Sequence, residues 1–427
     1  MRSIGHGFVL LVISGLADGG GVPVFSLTRR LGPTRRLAEE ARLYGDLTQL
    51  MAFHVDVLVG TPGQLQSVIV DTGSARTAFP CTTCGEGCGQ HMDPPFDPTI
   101  SSTFRWVQCG EKGCDSCTKN QCSYNVKYVE GSEINGHFFE DVLQLGASQR
   151  ANKKGPVWMG CHTRETKLFR TQVPAGITGL NEGGWNVLES LADGPIEKEV
   201  FALCLAETGG SMTVGGLNNT WMPSSEPFQW TPYSSGYHLA LNQISFNGKD
   251  LFAGNLGEFK LDSGTSFSYF SGHQVMKLEE AIRDAASKRN VSWSSISCLK
   301  AGEDEMDRFP NMTFHFGDAT FVWRAKGYMF RKEANTWCYA FFTSTRFILG
   351  ASFMLDHAII FDREEKKIGF APSSCPHFAS RDVTSGDLDW TGETRNTATF
   401  QDISTAWETA KASAGWLGWL LLMWMSG

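Results

Sequence analysis

The sequence predicts a β-rich protein of two related lobes, with only minor helix, and three observations predict it. Aromatic residues are abundant, with 29 Phe and 13 Trp, and 46 glycines supply turns; that mixture suits strands better than long helices. Short β-type segments punctuated by Gly, Pro and Asn run from about Leu50 to about Pro372. The third observation is a repeat. Val68-Ile69-Val70-Asp71-Thr72-Gly73-Ser74 recurs as Phe259-Lys260-Leu261-Asp262-Ser263-Gly264-Thr265-Ser266, with the two aspartates 191 positions apart. In each copy an apolar strand delivers an Asp, then a small hydroxyl residue, a Gly and another hydroxyl residue. One Asp-Thr-Gly carries little information. Two copies, each following a strand, indicate a duplicated architecture.

The elements follow in order. Arg2 precedes the apolar run Phe8–Ile13 and small residues at Gly15 and Ala17, which predicts a signal peptide over 1–17. Residues 18–45 are polar and Arg-bearing and are expected to be a propeptide-like segment. The 427-residue chain is too long for one small domain; residues 46–203 and 204–375 are the two expected lobes. Ala52–Val59 alternates and ends at Gly60-Thr61-Pro62-Gly63, a strand and turn, and Gln66–Val70 is a strand running directly into Asp71. His273–Lys288 is the most helix-like stretch, with Val275, Leu278, Ala281 and Ile282 at helical spacing. Residues 376–411 are rich in Ser, Thr, Asp and Glu, a solvated stalk. The uncharged run Ala412–Gly427 falls slightly below the roughly 18 residues of a spanning helix. Its readings are a short anchor, an interfacial segment or a removable lipid-anchor signal, and membrane attachment is the expectation.

The formal charge is −8 and no long basic tract is present, which argues against nucleic acid as a partner. Twelve cysteines are present, seven of them between Cys81 and Cys122. With the signal peptide and the glycosylation sequons at Asn218, Asn290 and Asn311 they point to an oxidising compartment and disulfides. Zinc at Cys81-x2-Cys84 with Cys114-x2-Cys117 is the alternative. No metal or organic cofactor is otherwise indicated.

The repeated aspartates carry the chemistry. Hydrolysing an amide without a metal or a covalent intermediate requires one group to activate water and another to protonate the carbonyl oxygen. Two carboxyls sharing one proton do both. Held about 3 Å apart they cannot both ionise, so one pKa falls and the other rises. Asp71 and Asp262 are therefore the expected catalytic pair. Gly73 and Gly264 allow the close backbone approach that brings the loops together, and Ser74 and Thr265 are placed to orient the carboxylates. Behind each loop an apolar-apolar-Gly element is expected: Ile177-Thr178-Gly179 fits imperfectly and Ile348-Leu349-Gly350 fits well.

From these residues, with Gly60-Thr61-Pro62 and the ending Ile360-Phe361-Asp362…Ile368-Gly369-Phe370-Ala371, the chain resembles the pepsin family across roughly Ala52 to Ala371. Coupled titration of a carboxyl pair is established for aspartic proteases and is taken from them as given. The resemblance implies an all-β, bilobal pepsin-like fold, with a β-hairpin flap closing over a central cleft that takes an extended peptide. It also implies a monomer. Tyr128-Val129-Glu130-Gly131-Ser132, followed by Gly136, matches the flap, so Tyr128 would be the flap tyrosine and Gly131 part of its turn. One residue departs from the pattern: Ala78 stands where the family usually has the Trp partner of that tyrosine.

That departure, the cysteine-rich insert (81–122), the flap sequence and Met159-Gly160-Cys161-His162 resemble a narrower branch, plasmepsin V and its relatives. These are membrane-anchored secretory-pathway proteases that cut export-bound proteins after the Leu of an Arg-x-Leu motif. The insert also resembles that of nepenthesin-like plant proteases, which implies the pairs Cys81–Cys84, Cys88–Cys161, Cys109–Cys122, Cys114–Cys117, Cys204–Cys375 and Cys298–Cys338. A substrate Arg would need acidic or amide partners, for which Glu130, Gln172 and Glu165 are the candidates. Arg35-Arg36-Leu37-Ala38-Glu39 matches the same motif and suggests self-processing after Leu37. The competing reading is that Arg29-Arg30 and Arg35-Arg36 are dibasic sites for a convertase, or cations that shield the carboxylate pair in a zymogen. Two further readings stand beside the Arg-x-Leu-directed protease: a general or secretase-like surface protease, and a non-catalytic, inhibitor-like binding protein on the same fold. The expected location is the endoplasmic reticulum, Golgi or cell surface, with secretion as the alternative.

Overall fold

Each aspartate sits at the end of a strand whose neighbours repeat in the two halves of the chain. The computed structural model describes residues 39–378, except 129–130, 147–153, 184–186, 189–197 and 217–226. The signal segment, Leu37, Glu130, Asn218 and the C-terminal tail lie outside the described residues, and so does the stalk beyond Phe378.

In the first half Gln64–Asp71 pairs antiparallel with Ala52–Val59 and parallel with Gly176–Gly179, which brings Gly179 opposite Asp71. Thr77–Pro80 runs antiparallel to that Gly element. In the second half Glu258–Leu261 pairs parallel with Ile348–Leu349, which also pairs antiparallel with Ser268–Phe270. Strand, Asp loop and returning strand thus form the same three-way arrangement twice, as the repeated sequence predicts. The buried alternate residues Val68 and Val70 hold the first strand in register, and Phe259 and Leu261 hold the second.

Strands from both halves join one large sheet. Val200–Leu205 and Thr208–Val214 form a hairpin, with His357–Asp362 along its other edge. Glu39–Asp46 pairs with Thr208–Val214 on one side and with Ala52–Val59 on the other, linking the halves. All but the last residue of this strand belong to the segment expected to be propeptide-like, and they are paired into the sheet. Ala41 and Leu43 are buried and Arg42 is exposed, a period-2 alternation whose partners are too distant in sequence to be seen without the fold. The second half is filled by aromatics; Phe314, Trp323 and Phe353 are all within 6 Å of one another, ring to ring. Each such side chain stabilises by about 1.5–3 kcal/mol relative to exposure.

The expected helix occurs as Gly272–Lys288. Ser271 Oγ accepts from the Gln274 N–H while the Gln274 side chain accepts from the Ser271 N–H, and Val275, Leu278 and Ile282 face the core. Among the described residues no helix is long and apolar enough to cross a membrane. Asn290 and Asn311 are exposed.

All twelve cysteines are in disulfides. Cys204–Cys375 and Cys298–Cys338 are paired as the resemblance implies. The other four expected pairs are corrected to Cys81–Cys161, Cys84–Cys88, Cys109–Cys117 and Cys114–Cys122. The strand carrying Phe79 and Pro80 lies parallel to Lys154–Glu165, so Cys81 reaches Cys161. The 3-10 segment Thr82–Gly87 then folds Cys84 onto Cys88. Farther on, Lys119 and Asn120 both take positive φ and make a hairpin that sets Cys117 opposite Cys122. Facing each other across the ladder, each bonds to a cysteine of the preceding turn: buried Cys122 to Cys114, and exposed Cys117 to Cys109. Cys81, Cys84, Cys114 and Cys117 are therefore not thiolates available to zinc.

Candidate active site

The loops after the two aspartates are bound to each other by reciprocal hydrogen bonds. The Thr72 N–H donates to Ser263 Oγ at 3.1 Å and the Ser263 N–H donates to Thr72 Oγ1 at 2.9 Å. Each hydroxyl then donates to a carbonyl of the opposite strand, Thr72 Oγ1 to Leu261 at 2.8 Å and Ser263 Oγ to Val70 at 2.7 Å. Both side chains are buried. The hydroxyl residue following each Asp was the available signal for this lock. Its role depends on the two loops meeting, which no local pattern shows. Thr72→Val is expected to leave buried partners unsatisfied and to lower unfolding stability by about 1–3 kcal/mol; urea unfolding of the two proteins checks this.

The carboxyls are held alike. Gly73 N–H donates to Asp71 Oδ1 at 2.7 Å and Ser74 Oγ donates to Asp71 Oδ2. Gly264 N–H and Thr265 Oγ1 donate to Asp262 Oδ1 and Oδ2, each at 3.0 Å. Each carboxyl lies against the glycine of the other's loop. A Cβ on Gly73 would come within 2.4 Å of Asp262 Oδ2, and one on Gly264 within 2.3 Å of Asp71 Oδ1. Glycine is thus required at both positions for the loops to approach. Burial, and after it the Asp262 charge, push Asp71 up to about 8 against the lowering pull of Ser74 and Gly73. Lys260, within the second motif, donates from Nζ to the Gly73 carbonyl at 2.5 Å, a further cross-link between the loops that sequence reasoning missed.

Tyr128 stands at the tip of the hairpin formed by Gln121–Lys127 and Glu133–Leu145. Its N–H donates to the Ser132 carbonyl and its carbonyl accepts from Gly131, whose φ is +86°. The place of the missing Trp is taken by Ala78, buried in its strand. Tyr128 packs instead on Phe169, with ring centroids 4.8 Å apart. Phe169 lies on the single helical turn Leu168–Thr171.

Gln172 closes that turn and is half-buried, its side-chain amide donating to the Pro174 carbonyl at 3.1 Å. Glu165 is elsewhere than expected. Its side chain is fully buried and its carboxylate is taken up by His162 Nδ1 at 2.7 Å, His91 Nε2 at 3.0 Å and the Gly89 N–H at 2.9 Å. Burial alone would raise its pKa, but the hydrogen bonds from His162 and His91 outweigh it and hold it at about 2. With its acceptor positions filled and no exposure, Glu165 is not a partner for a substrate Arg. Ligand atoms of Cys88, His162 and Glu165 approach within 4.8 Å. Cys88 is bonded to Cys84, so the trio lacks the thiolate a metal would need.

The two strand-borne, cross-linked Asp loops and the hairpin carrying Tyr128 all lie within the residues that match the eukaryotic aspartyl protease model, 52–373. The chain belongs to the eukaryotic aspartyl protease family. It is 32% identical over 408 residues to Aspartic protease 5 of Toxoplasma gondii, an alignment covering 86% of this chain and 41% of that protein. It is 23% identical to Plasmepsin V of Plasmodium falciparum over 436 residues, covering 78% of this chain and 73% of that one. Nepenthesin-1 of Nepenthes gracilis is 24% identical, with 75% and 77% covered. The chain thus spans less than half the length of the Toxoplasma relative. The pepsin-like resemblance read from the motifs is the family the chain belongs to, and the fold is the family's β-rich, bilobal one.

Proposed function

We propose that this chain is an aspartic endopeptidase in which Asp71 and Asp262 together activate water against a peptide carbonyl. The observation that carries the reading is that two buried carboxyls, each held by its own Gly N–H and hydroxyl, each lie against the glycine of the other's loop. With one proton in the pair, the raised group, Asp71, holds it and Asp262 is the base. Asp262 takes a proton from water as the oxygen bonds to the carbonyl carbon. Asp71 gives its proton to the carbonyl oxygen, so the tetrahedral intermediate forms without net charge on the substrate. Collapse breaks the C–N bond, the proton now on Asp262 passes to the leaving amine, and the hydroxyl proton returns to Asp71. Tyr128, seated on Phe169, closes over the bound strand and excludes water.

The finer proposal is cleavage after the Leu of an Arg-x-Leu motif in the secretory pathway. It is supported by the branch resemblance, by the similarity to Plasmepsin V and by six disulfides, which suit an oxidising compartment. Glu130 on the flap and Gln172 are the proposed partners of the Arg. Membrane attachment through 412–427 is proposed from sequence alone.

Paired peptides test this, one containing Arg-Leu-Leu-x-Glu and one with the Arg replaced by Ala. A substrate Arg paired with a desolvated acid is worth about 2–5 kcal/mol. kcat/KM is therefore expected to fall at least about thirtyfold for the Ala peptide. Equal cleavage of both peptides would retain the protease and remove the Arg-x-Leu preference.

A further inference from the structure

We propose that Glu165 is a positioning residue for the substrate-facing wall of the first lobe, acting through His91 and His162 on the turn Leu168–Thr171 and on Gln172. This deepens the endopeptidase reading and rests on it. A four-residue helix has no stability of its own. This one begins after Lys167, a non-glycine residue at φ +46°, and has no side-chain cap at its N-terminus. Its place is set from outside.

The bonds that set it converge on Glu165. His91, in the cysteine-rich insert, is nearly fully buried and sits between two acceptors, the Gln172 carbonyl at Nδ1 and Glu165 Oε2 at Nε2, each 3.0 Å away. Its two ring nitrogens thus bridge the Gln172 carbonyl to the Glu165 carboxylate. His91 therefore clamps the end of the turn to the insert for as long as Glu165 holds its far side. On the other oxygen, Glu165 fixes His162 through Nδ1. The His162 ring meets the Phe169 ring edge-on at 6.2 Å, and Phe169 in turn is the seat of Tyr128. Arg170 adds hydrogen bonds from the turn to the Glu86 and Gly87 carbonyls of the insert. One buried carboxylate thus governs both ends of the turn: Gln172 through His91, and the flap's aromatic seat through His162. A buried ionised carboxylate is costly unless fully paired. Here the histidines it pairs with hold Gln172 and the ring of Phe169.

The test uses the full chain with Glu165→Gln and, in case that variant folds poorly, His91→Gln. Both are read after counting intact active sites by titration with a tight transition-state-analogue inhibitor. KM per titrated site is expected to rise about tenfold while kcat stays within about twofold. The double variant should be little worse than either single one, because both break the same clamp. Independently of activity, amide hydrogen exchange over 168–172 should speed up at least about tenfold with the strand 64–71 unchanged. A merely structural role predicts fewer titratable sites with unchanged KM, and that result, or unaltered exchange in the turn, would overturn the proposal. If the wild type cleaves no peptide, the endopeptidase reading fails, and the exchange measurement alone decides whether Glu165 positions the turn.

Discussion

Asp262→Asn is expected to lower kcat by at least about 10³-fold, with substrate still bound. The asparagine keeps the shape of the side chain: its Oδ1 can still accept from Gly264 N–H and its Nδ2 can donate to Thr265 Oγ1, across contacts that in the native protein are each 3.0 Å long. What it lacks is the capacity to take a proton from water. General-base catalysis contributes about 10²–10⁴-fold, and here the partner's function goes with it. Asp71 is raised to about 8 by burial first and by the Asp262 charge second. Removing that charge lowers Asp71 and weakens its hold on the proton it must give to the carbonyl. Initial rates on a quenched peptide, with inhibitor binding as the control for fold, check the outcome. Retention of more than about a tenth of kcat would show that Asp262 is not the base.

The carboxyl pair was legible in the sequence because it is carried by a local pattern written twice. Each copy specifies strand, acid, turn and hydroxyl within eight residues, and duplication supplied the juxtaposition that a single copy lacks. The fold class came from the same source, helped by the turn-punctuated strands between Leu50 and Pro372. What escaped depends on contacts distant in sequence. The Thr72–Ser263 lock spans 191 positions. Glu165 is a candidate partner of a substrate Arg on its acidic side chain alone; the partner that occupies it, His91, lies 74 residues away in the insert. The strand Glu39–Asp46 was not visible because its ladder with Thr208–Val214 closes through most of the first lobe. The four insert disulfides fail for a related reason. Cys81 meets Cys161 only through a strand pairing 80 residues away in sequence, and among Cys109, Cys114, Cys117 and Cys122 the Lys119-Asn120 turn chooses the partners.

The placement of the shared proton has a consequence for stability that can be measured without substrate. In the folded chain Asp71 keeps its proton up to about 8, whereas its ordinary value is 3.8. Below 3.8 both folded and unfolded states are protonated there and the group is neutral in its effect. As pH rises from there towards 8 the unfolded state ionises and the folded state does not, so stability attributable to Asp71 is progressively lost. Asparagine never ionises. Asp71→Asn should therefore match the wild type at about pH 3.5 and melt at least about 2 °C higher at about pH 7.5, although it is inactive at both. Glu165 works in the opposite sense. Its folded value of about 2 against an ordinary 4.5 gives stability that is complete above 4.5 and is lost on acidification towards 2. The two buried acids together press the wild-type optimum into a mildly acidic window, and Asp71→Asn should move that optimum upward. A melting difference that is the same at both pH values would show that Asp71 does not keep its proton through this range.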